Sequence, residues 1–188
     1  RRKPSWYFVR RAYAPVRAIL RCGGDHVRAI VANDTQEALS LTLECGYVSL
    51  DGTSAALQPS KVDVPALSRQ QVVTFPYGEH DAYSGLWIAR AADRDDIPAG
   101  ILRAVDYRQL KTADPGLSFS ATQSQDGQWI VEVGARGYAH AVHLLLPPGC
   151  VPADDYFDLL PGESRRVRVA SAEAFDAAEF RVTCTNAG

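Results

Sequence analysis

The sequence predicts an all-β protein: two β-sandwiches in tandem, preceded by a short helical or extended opening segment. Three observations predict it. Most of the chain alternates apolar and polar residues with a period of two, turn-forming clusters interrupt that alternation at short intervals, and the pattern starts afresh past residue 104. Residues 38–45 show the period plainly: Leu39, Leu41, Leu43 and Cys45 share one face while Ser40, Thr42 and Glu44 share the other. A strand half-buried against a core carries this alternation.

Taken in order, the opening residues 1–15 break the β pattern. Trp6, Val9, Tyr13 and Val16 recur at three- and four-residue steps, with Arg10, Arg11 and Arg17 on other sides, which is helical spacing ended by Pro15. A basic amphipathic helix can lie on a membrane or enter a partner's groove. The segment is too short to hold a membrane by itself, so it is read as the last helical turn of a domain lying upstream. The runs "VRAIL", "HVRAIVAN", "ALSLTLEC", "SKVDVP", "QQVVTFP" and "GLWIARA" then read as strands, separated by the turn signals "CGGD", "DGTS", "PYGEHD" and "DRDDIPAG". They make up a first domain over residues 16–104. The second domain, residues 105–188, opens with "AVDYRQL" and "KTADPG" and continues through "LSFSATQ", a "QDG" turn, "QWIVEVGARG", "AHAVHLLLPPG", "YFDLLPGE", "SRRVRVA" and "EFRVTCTN". Trp129, Val131 and Val133 face one way. Roughly seven strands with such turns is what an immunoglobulin-like sandwich requires.

Composition narrows the function classes. Hydrophobic residues make up 46% and charged residues 22% of 188 residues, values of a chain that can bury a core. The net charge is −2, yet Arg1, Arg2, Lys3, Arg10, Arg11, Arg17 and Arg21 precede the first acid, which leaves the body of the chain acidic. That balance argues against nucleic acid as a partner, and no apolar run is long enough to span a membrane. Cys22, Cys45, Cys150 and Cys184 are widely spaced, with no Cys-x-x-Cys pair for zinc or redox chemistry. They read as free thiols filling apolar space, one disulfide per half being the lesser alternative. Compartment stays open.

The search for chemistry turns up no complete constellation. There is no Gly-x-Ser-x-Gly elbow, and "GESRR" departs from it. His140 and His143 are three apart on an expected strand, which would send them to opposite faces rather than to one zinc ion. A calcium loop begun at Asp154 meets Tyr156 and Arg165 where ligands are needed, and one begun at Asp93 meets Ile97 and Ala104; an irregular site through Asp93, Asp95 and Asp96 is the remaining calcium option. Glu132 and Asp158 are a formal carboxylate pair of the kind that cleaves glycosides, but Glu132 lies on the polar side of its strand. No catalytic residue, cofactor or metal ligand is therefore assigned.

The stretch "DDYFDLLPGESRRVRVA", residues 154–170, sets acids around aromatics and closes on Leu-Leu-Pro-Gly. Tyr156, Phe157 and Leu159 carry the apolar area to anchor a loop in a core, and Pro161 with Gly162 turns the chain, so the cluster reads as a structural corner. This stretch resembles the C-terminal signature of β-mannosidase-like members of glycoside hydrolase family two. "KPSWYFVRRAYAPVRAIL" looks like that family's passage from the catalytic barrel into the next sandwich, and "VRAIVANDTQEALSLTLE" like that sandwich's first strands, with Asn33 and Asp34 at the turn. The resemblance implies a non-catalytic C-terminal portion of a retaining β-mannoside hydrolase, beginning after the barrel and packing against and stabilising it. The family's acid/base glutamate follows an asparagine, and no Asn-Glu dipeptide occurs here. The expected partner is that upstream barrel. Two alternatives accompany this reading: binding of β-mannoside oligosaccharides through Trp6, Trp87 or Trp129, and a surface adhesion protein of tandem sandwiches. Trp87 lies between Leu86 and Ile88, and Trp129 starts an alternating apolar face, so both also read as core.

Overall fold

The computed structural model describes residues 2–125, 127–171 and 176–187; Arg1 and Asp126 of the "QDG" turn fall outside these. The chain divides into two compact units, one made of residues 9–49 and 53–111, the other of residues 2–8, 50–52 and 112–187. Among the described residues no helix is long and apolar enough to cross a membrane.

The opening segment forms one helix, α1 (Pro4–Ala12), with proline at its first position, where a missing N–H costs nothing. Its reach differs from the expectation. Tyr13, expected inside, lies beyond its end, because Pro15 restricts Ala14 to extended backbone; Val16, past the expected stop at Pro15, pairs with Asn33 in a strand. The buried side chain is Tyr7, while Trp6, Phe8, Val9 and Tyr13 are exposed.

The first unit holds β1 (Val16–Gly23), β2 (His26–Asn33), β3 (Leu39–Ser49), β4 (Ala55–Val64), β5 (Ser68–Pro76), β6 (Gly85–Ala91) and β7 (Gly100–Leu102). They form two antiparallel sheets, in the orders β1-β2-β5 and β4-β3-β6-β7. Between them lie Ala29, Val31, Leu41, Leu43, Cys45, Val62, Val64 and Ala89. The alternation of β3 is the expected one, with Leu41, Leu43 and Cys45 buried. Gly46 sits where β4 passes so closely that a Cβ would lie 1.8 Å from the Ala56 carbonyl oxygen. Fully buried Asn33 fixes the loop after β2: its Nδ2 donates to the carbonyls of Glu37 (2.8 Å) and Pro65 (3.0 Å), and its Oδ1 accepts from the Thr35 N–H (3.0 Å).

Three expectations change in this unit. The segment "AVDYRQL" is no strand but carries a 3₁₀ turn at Tyr107–Gln109. Asp106 accepts from the Arg108 N–H while the Gln109 side chain accepts from the Asp106 N–H, a reciprocal cap that selects helical geometry. The end of "DRDDIPAG" supplies β7 instead of being turn throughout. Cys22 is exposed rather than core, because the last three residues of β1 run out into solvent. Lys111, the last residue of this unit, is held within it through its N–H to the Tyr83 carbonyl (2.8 Å) and its Nζ to Asp81 (3.1 Å).

The second unit holds β8 (Ser118–Gln123), β9 (Trp129–Gly134), β10 (Ala139–Leu145), β11 (Val151–Pro152), β12 (Phe157–Leu159), β13 (Ser164–Ala170) and β14 (Arg181–Thr183). Its sheets run β11-β13-β9-β8 and β12-β10-β14. The inner faces meet in a core of Trp129, Val131, Val133, Val142, Leu144, Phe157, Leu159, Val167, Val169 and Phe180. The second sheet is irregular: the register between β10 and β12 shifts between Ala139 and Val142, where Ala141 adopts a left-handed backbone (φ 51°).

Candidate functional site

The acidic-aromatic segment packs around β12. Phe157 and Leu159 alternate into the core at 1% and 2% exposure, Leu160 follows, and Asp158 between them points outward. Gly162, with φ 78°, turns the chain into β13, its N–H donating to the Ala135 carbonyl (2.9 Å). Glu163 closes the turn: its Oε2 accepts from the Leu160 N–H at 2.9 Å. Arg165 reaches back to pair with Asp154 (2.8 Å) and lays its guanidinium over the Phe157 ring, 4.7 Å from the centroid.

Beside this turn stand two histidine-carboxylate pairs. Asp155, only 3% exposed, accepts from the Leu144 N–H (2.9 Å) and Tyr156 N–H (3.0 Å) through Oδ1, and its Oδ2 lies 2.9 Å from His143 Nδ1. Tyr156 stacks on His143 (4.3 Å, 13°), with its hydroxyl 3.2 Å from Nε2. One turn along, Asp158 Oδ1 accepts from the Ala141 N–H (2.9 Å) and meets His140 Nδ1 (2.9 Å), while Oδ2 accepts from the Tyr138 hydroxyl (2.8 Å). The two histidines do not point to opposite faces as strict alternation requires. The extra residue at Ala141 restores the phase, so Ala139, Val142 and Leu144 turn inward and both imidazoles share the outer face. Chemically, each carboxylate orients an imidazole through Nδ1, which fixes its tautomer. Among the described residues no three His, Cys, Asp or Glu side chains gather as a metal site needs.

The other candidates are scattered. Glu132 and Asp158 do not meet: Glu132 pairs with Arg166 (3.0 Å) on the outer face of one sheet, Asp158 with His140 on the outer face of the other. Asp96 accepts from Nε and Nη2 of Arg94 (2.7 Å each), which holds its carboxyl below the usual carboxylate range. Trp87 is fully buried, stacked on Tyr77 (5.1 Å) and edge-on to Tyr47 (5.4 Å). Trp129 is 9% exposed and packs on Phe180 (5.2 Å). Trp6 is 38% exposed, with the Arg2 guanidinium 4.0 Å above its ring and Tyr7 at its edge (4.9 Å). Sequence reading missed a cleft of about 670 Å³ in the second unit, lined by Arg2, Tyr7, His143, Cys150 and Asp155 with prolines 147, 148 and 152. It missed the histidine pairs as well.

The fold and this turn define a class: tandem immunoglobulin-like sandwiches of the accessory kind. Residues 25–97 match the family described as Mannosidase Ig/CBM-like domain, and residues 112–185 the family described as Ig-fold domain. Together the two matches span most of the chain, which belongs to these two families of immunoglobulin-like domains. In fold it is similar to the β-D-mannosidase of Dictyoglomus thermophilum (TM-score 0.89, 16% identity), covering 99% of this chain and 23% of that one. It is also similar to the exo-chitosanase CsxA of Amycolatopsis orientalis (TM-score 0.66, 17% identity, 98% of this chain and 27% of that one). Among curated proteins, the 1,4-α-glucan branching enzyme of Deinococcus radiodurans is 33% identical over 82 residues, 41% of this chain and 12% of that protein. The chain therefore spans about a quarter or less of the length of these proteins.

Proposed function

We propose that this chain is the non-catalytic C-terminal portion of a β-mannosidase-like retaining glycoside hydrolase, and that it packs against and stabilises the catalytic barrel of the same polypeptide. The observation that carries this reading is how the acids are used. Asp154, Asp155 and Asp158 are bound up with Arg165, two histidines and backbone N–H groups, and Glu132 with Arg166. A general base needs a lone pair aimed at substrate, whereas these face their own scaffold. The test assays the 188-residue chain on a chromogenic β-mannoside, and the parent enzyme with and without it. Expected are no turnover by the chain and a lower unfolding temperature for the parent lacking it; turnover abolished by replacing one glutamate of the chain overturns the proposal.

Carbohydrate binding is a second reading, favoured by the cleft lined by Arg2 and Tyr7, both of which touch exposed Trp6. Its volume lies within the range of small-ligand sites. Trp87 and Trp129 have their ring faces occupied by protein, which leaves Trp6 as the ring a sugar can reach. Titration with mannan-derived oligosaccharides would change tryptophan fluorescence in the native chain and not in Trp6→Phe; no change in either excludes this reading.

A further inference from the structure

Sheet edges present rows of backbone donors and acceptors that invite another strand, and proteins blunt them with charge, proline, bulges or brevity. Among the described residues, seven of the eight edges carry such a device. β1 has Arg17 and Arg21, and its Ala18 N–H is bonded to Pro98 (3.2 Å). β4 has Pro59, Lys61 and Asp63; β5 has Arg69, Pro76 and a register shift against β2. β7, β12 and β14 are three residues long and β11 two.

β8 is different. It is six residues, Ser118–Gln123, with no charge and no proline, and it pairs with β9 in unbroken register. Among the described residues nothing pairs with its other side. Every second residue of such a strand turns its N–H and C=O away from the neighbour it has. Its side chains are exposed except for half-buried Ala121. Phe119 stands opposite fully buried Val133, on the core face, and is nonetheless 42% exposed because the sheet ends beside it.

We propose that β8 pairs with β8 of a second copy of this chain, joining two β11-β13-β9-β8 sheets across a two-fold axis. The side chains choose the occupant. An antiparallel pair related by a two-fold perpendicular to the sheet keeps core faces together, and the register centred on Ser120 sets Phe119 of each copy over Ala121 of the other. Large meets small, and the exposed ring gains cover. On the outer face Ser118 meets Thr122 and Ser120 meets Ser120, hydroxyl pairs that suit cross-strand contact. With no charge anywhere on the strand, an identical strand meets no repulsion.

Sedimentation velocity of the whole chain over a concentration series, with hydrogen exchange, tests this. The native chain shifts from monomer to dimer as concentration rises, and its β8 amides gain protection in step. Ser120 is exposed, so Ser120→Lys leaves the far-ultraviolet dichroism unchanged while setting two lysines face to face on the axis. The association constant then falls by about tenfold or more, the factor for 1.4 kcal/mol. Thr122→Lys weakens association too. An equimolar mixture of Ser120→Lys and Ser120→Asp chains recovers the dimer. A native chain that stays monomeric, a dimer indifferent to Ser120→Lys, or β8 protection that does not depend on concentration overturns the proposal; the last would mean the edge is covered from within the polypeptide.

Discussion

Replacing Phe157 by alanine removes the largest side chain that β12 sends into the second core. The ring is 1% exposed, lies across from Val142 in the β10–β12 register, and has the Arg165 guanidinium 4.7 Å from its centroid. Truncating a buried phenylalanine costs about 3–5 kcal/mol, from lost transfer energy and the cavity left behind. The lost cation-π contact adds about 0.5–1 kcal/mol, the low end because Arg165 is 40% exposed. The total, about 3.5–6 kcal/mol, is a large part of the ~5–15 kcal/mol that holds a domain folded. For a domain of this size each kcal/mol shifts the midpoint by about 4–8 °C, so a fall of roughly 15 °C or more is expected in calorimetry. Phe157→Leu, which keeps most of the volume, should cost under about 1.5 kcal/mol. Hydrogen exchange at β10 and β12 assigns the loss to this unit. A fall of less than about 3 °C for Phe157→Ala would refute the reasoning, since no buried ring yields so little.

Three further outcomes follow from local chemistry. Gly46→Ala forces a methyl against the Ala56 carbonyl at a φ of 155° and should lower the urea midpoint by the equivalent of about 2 kcal/mol or more. Asp81 is held at a pKa of about 2 by the Ser84 hydroxyl, then by the Tyr83 N–H and Lys111; its folded value lies below the unfolded value of about 3.9. Its stabilisation is therefore present above about pH 4 and is lost as pH falls toward 2, so Asp81→Asn should flatten the acid limb of a stability-pH curve. For the thiols, burial raises Cys45 to about 12 and pushes Cys184 upward, while Cys22 is exposed. An aromatic disulfide reagent at mildly alkaline pH should modify Cys22 at once and Cys45 only on unfolding, the reverse order being the refuting result.

The strands were legible because period-two alternation reports a single burial boundary. β2 and β13 run over the residues the pattern marks, β3 buries the side chains it names, and β6 coincides with a marked run although its first five residues are buried on both faces. Capping was not legible from apolar periodicity, which is why 104–110 read as a strand: Asp106 and Gln109 act through backbone hydrogen bonds that carry no hydrophobic signal. The helix ends at Ala12, short of the expected stop at Pro15, because a proline also bars the residue before it from helical backbone. β7 and β11 are too short to show a period at all. The histidine pairs were hidden by a phase change, although a trace was present: inward residues at 139, 142 and 144 are spaced three and then two, the signature of one inserted residue.

That phase change also explains why so many carboxylates crowd a segment without visible chemistry. β12 has only three residues, too few to satisfy the edge of a bulged β10 with backbone carbonyls. The Ala141 and Leu144 N–H groups are bonded instead to Asp158, in the middle of β12, and Asp155, just before it, side chains that extend its ladder where its backbone cannot reach. An N–H left without such a partner in a buried setting costs about 1–3 kcal/mol, so each acid has a structural task before any other is considered. The histidines then complete the arrangement from outside, each meeting through Nδ1 a carboxylate that already holds the backbone. Acids and aromatics in one short stretch, met by the histidines of β10, are here the means by which a three-residue strand is held to an irregular neighbour.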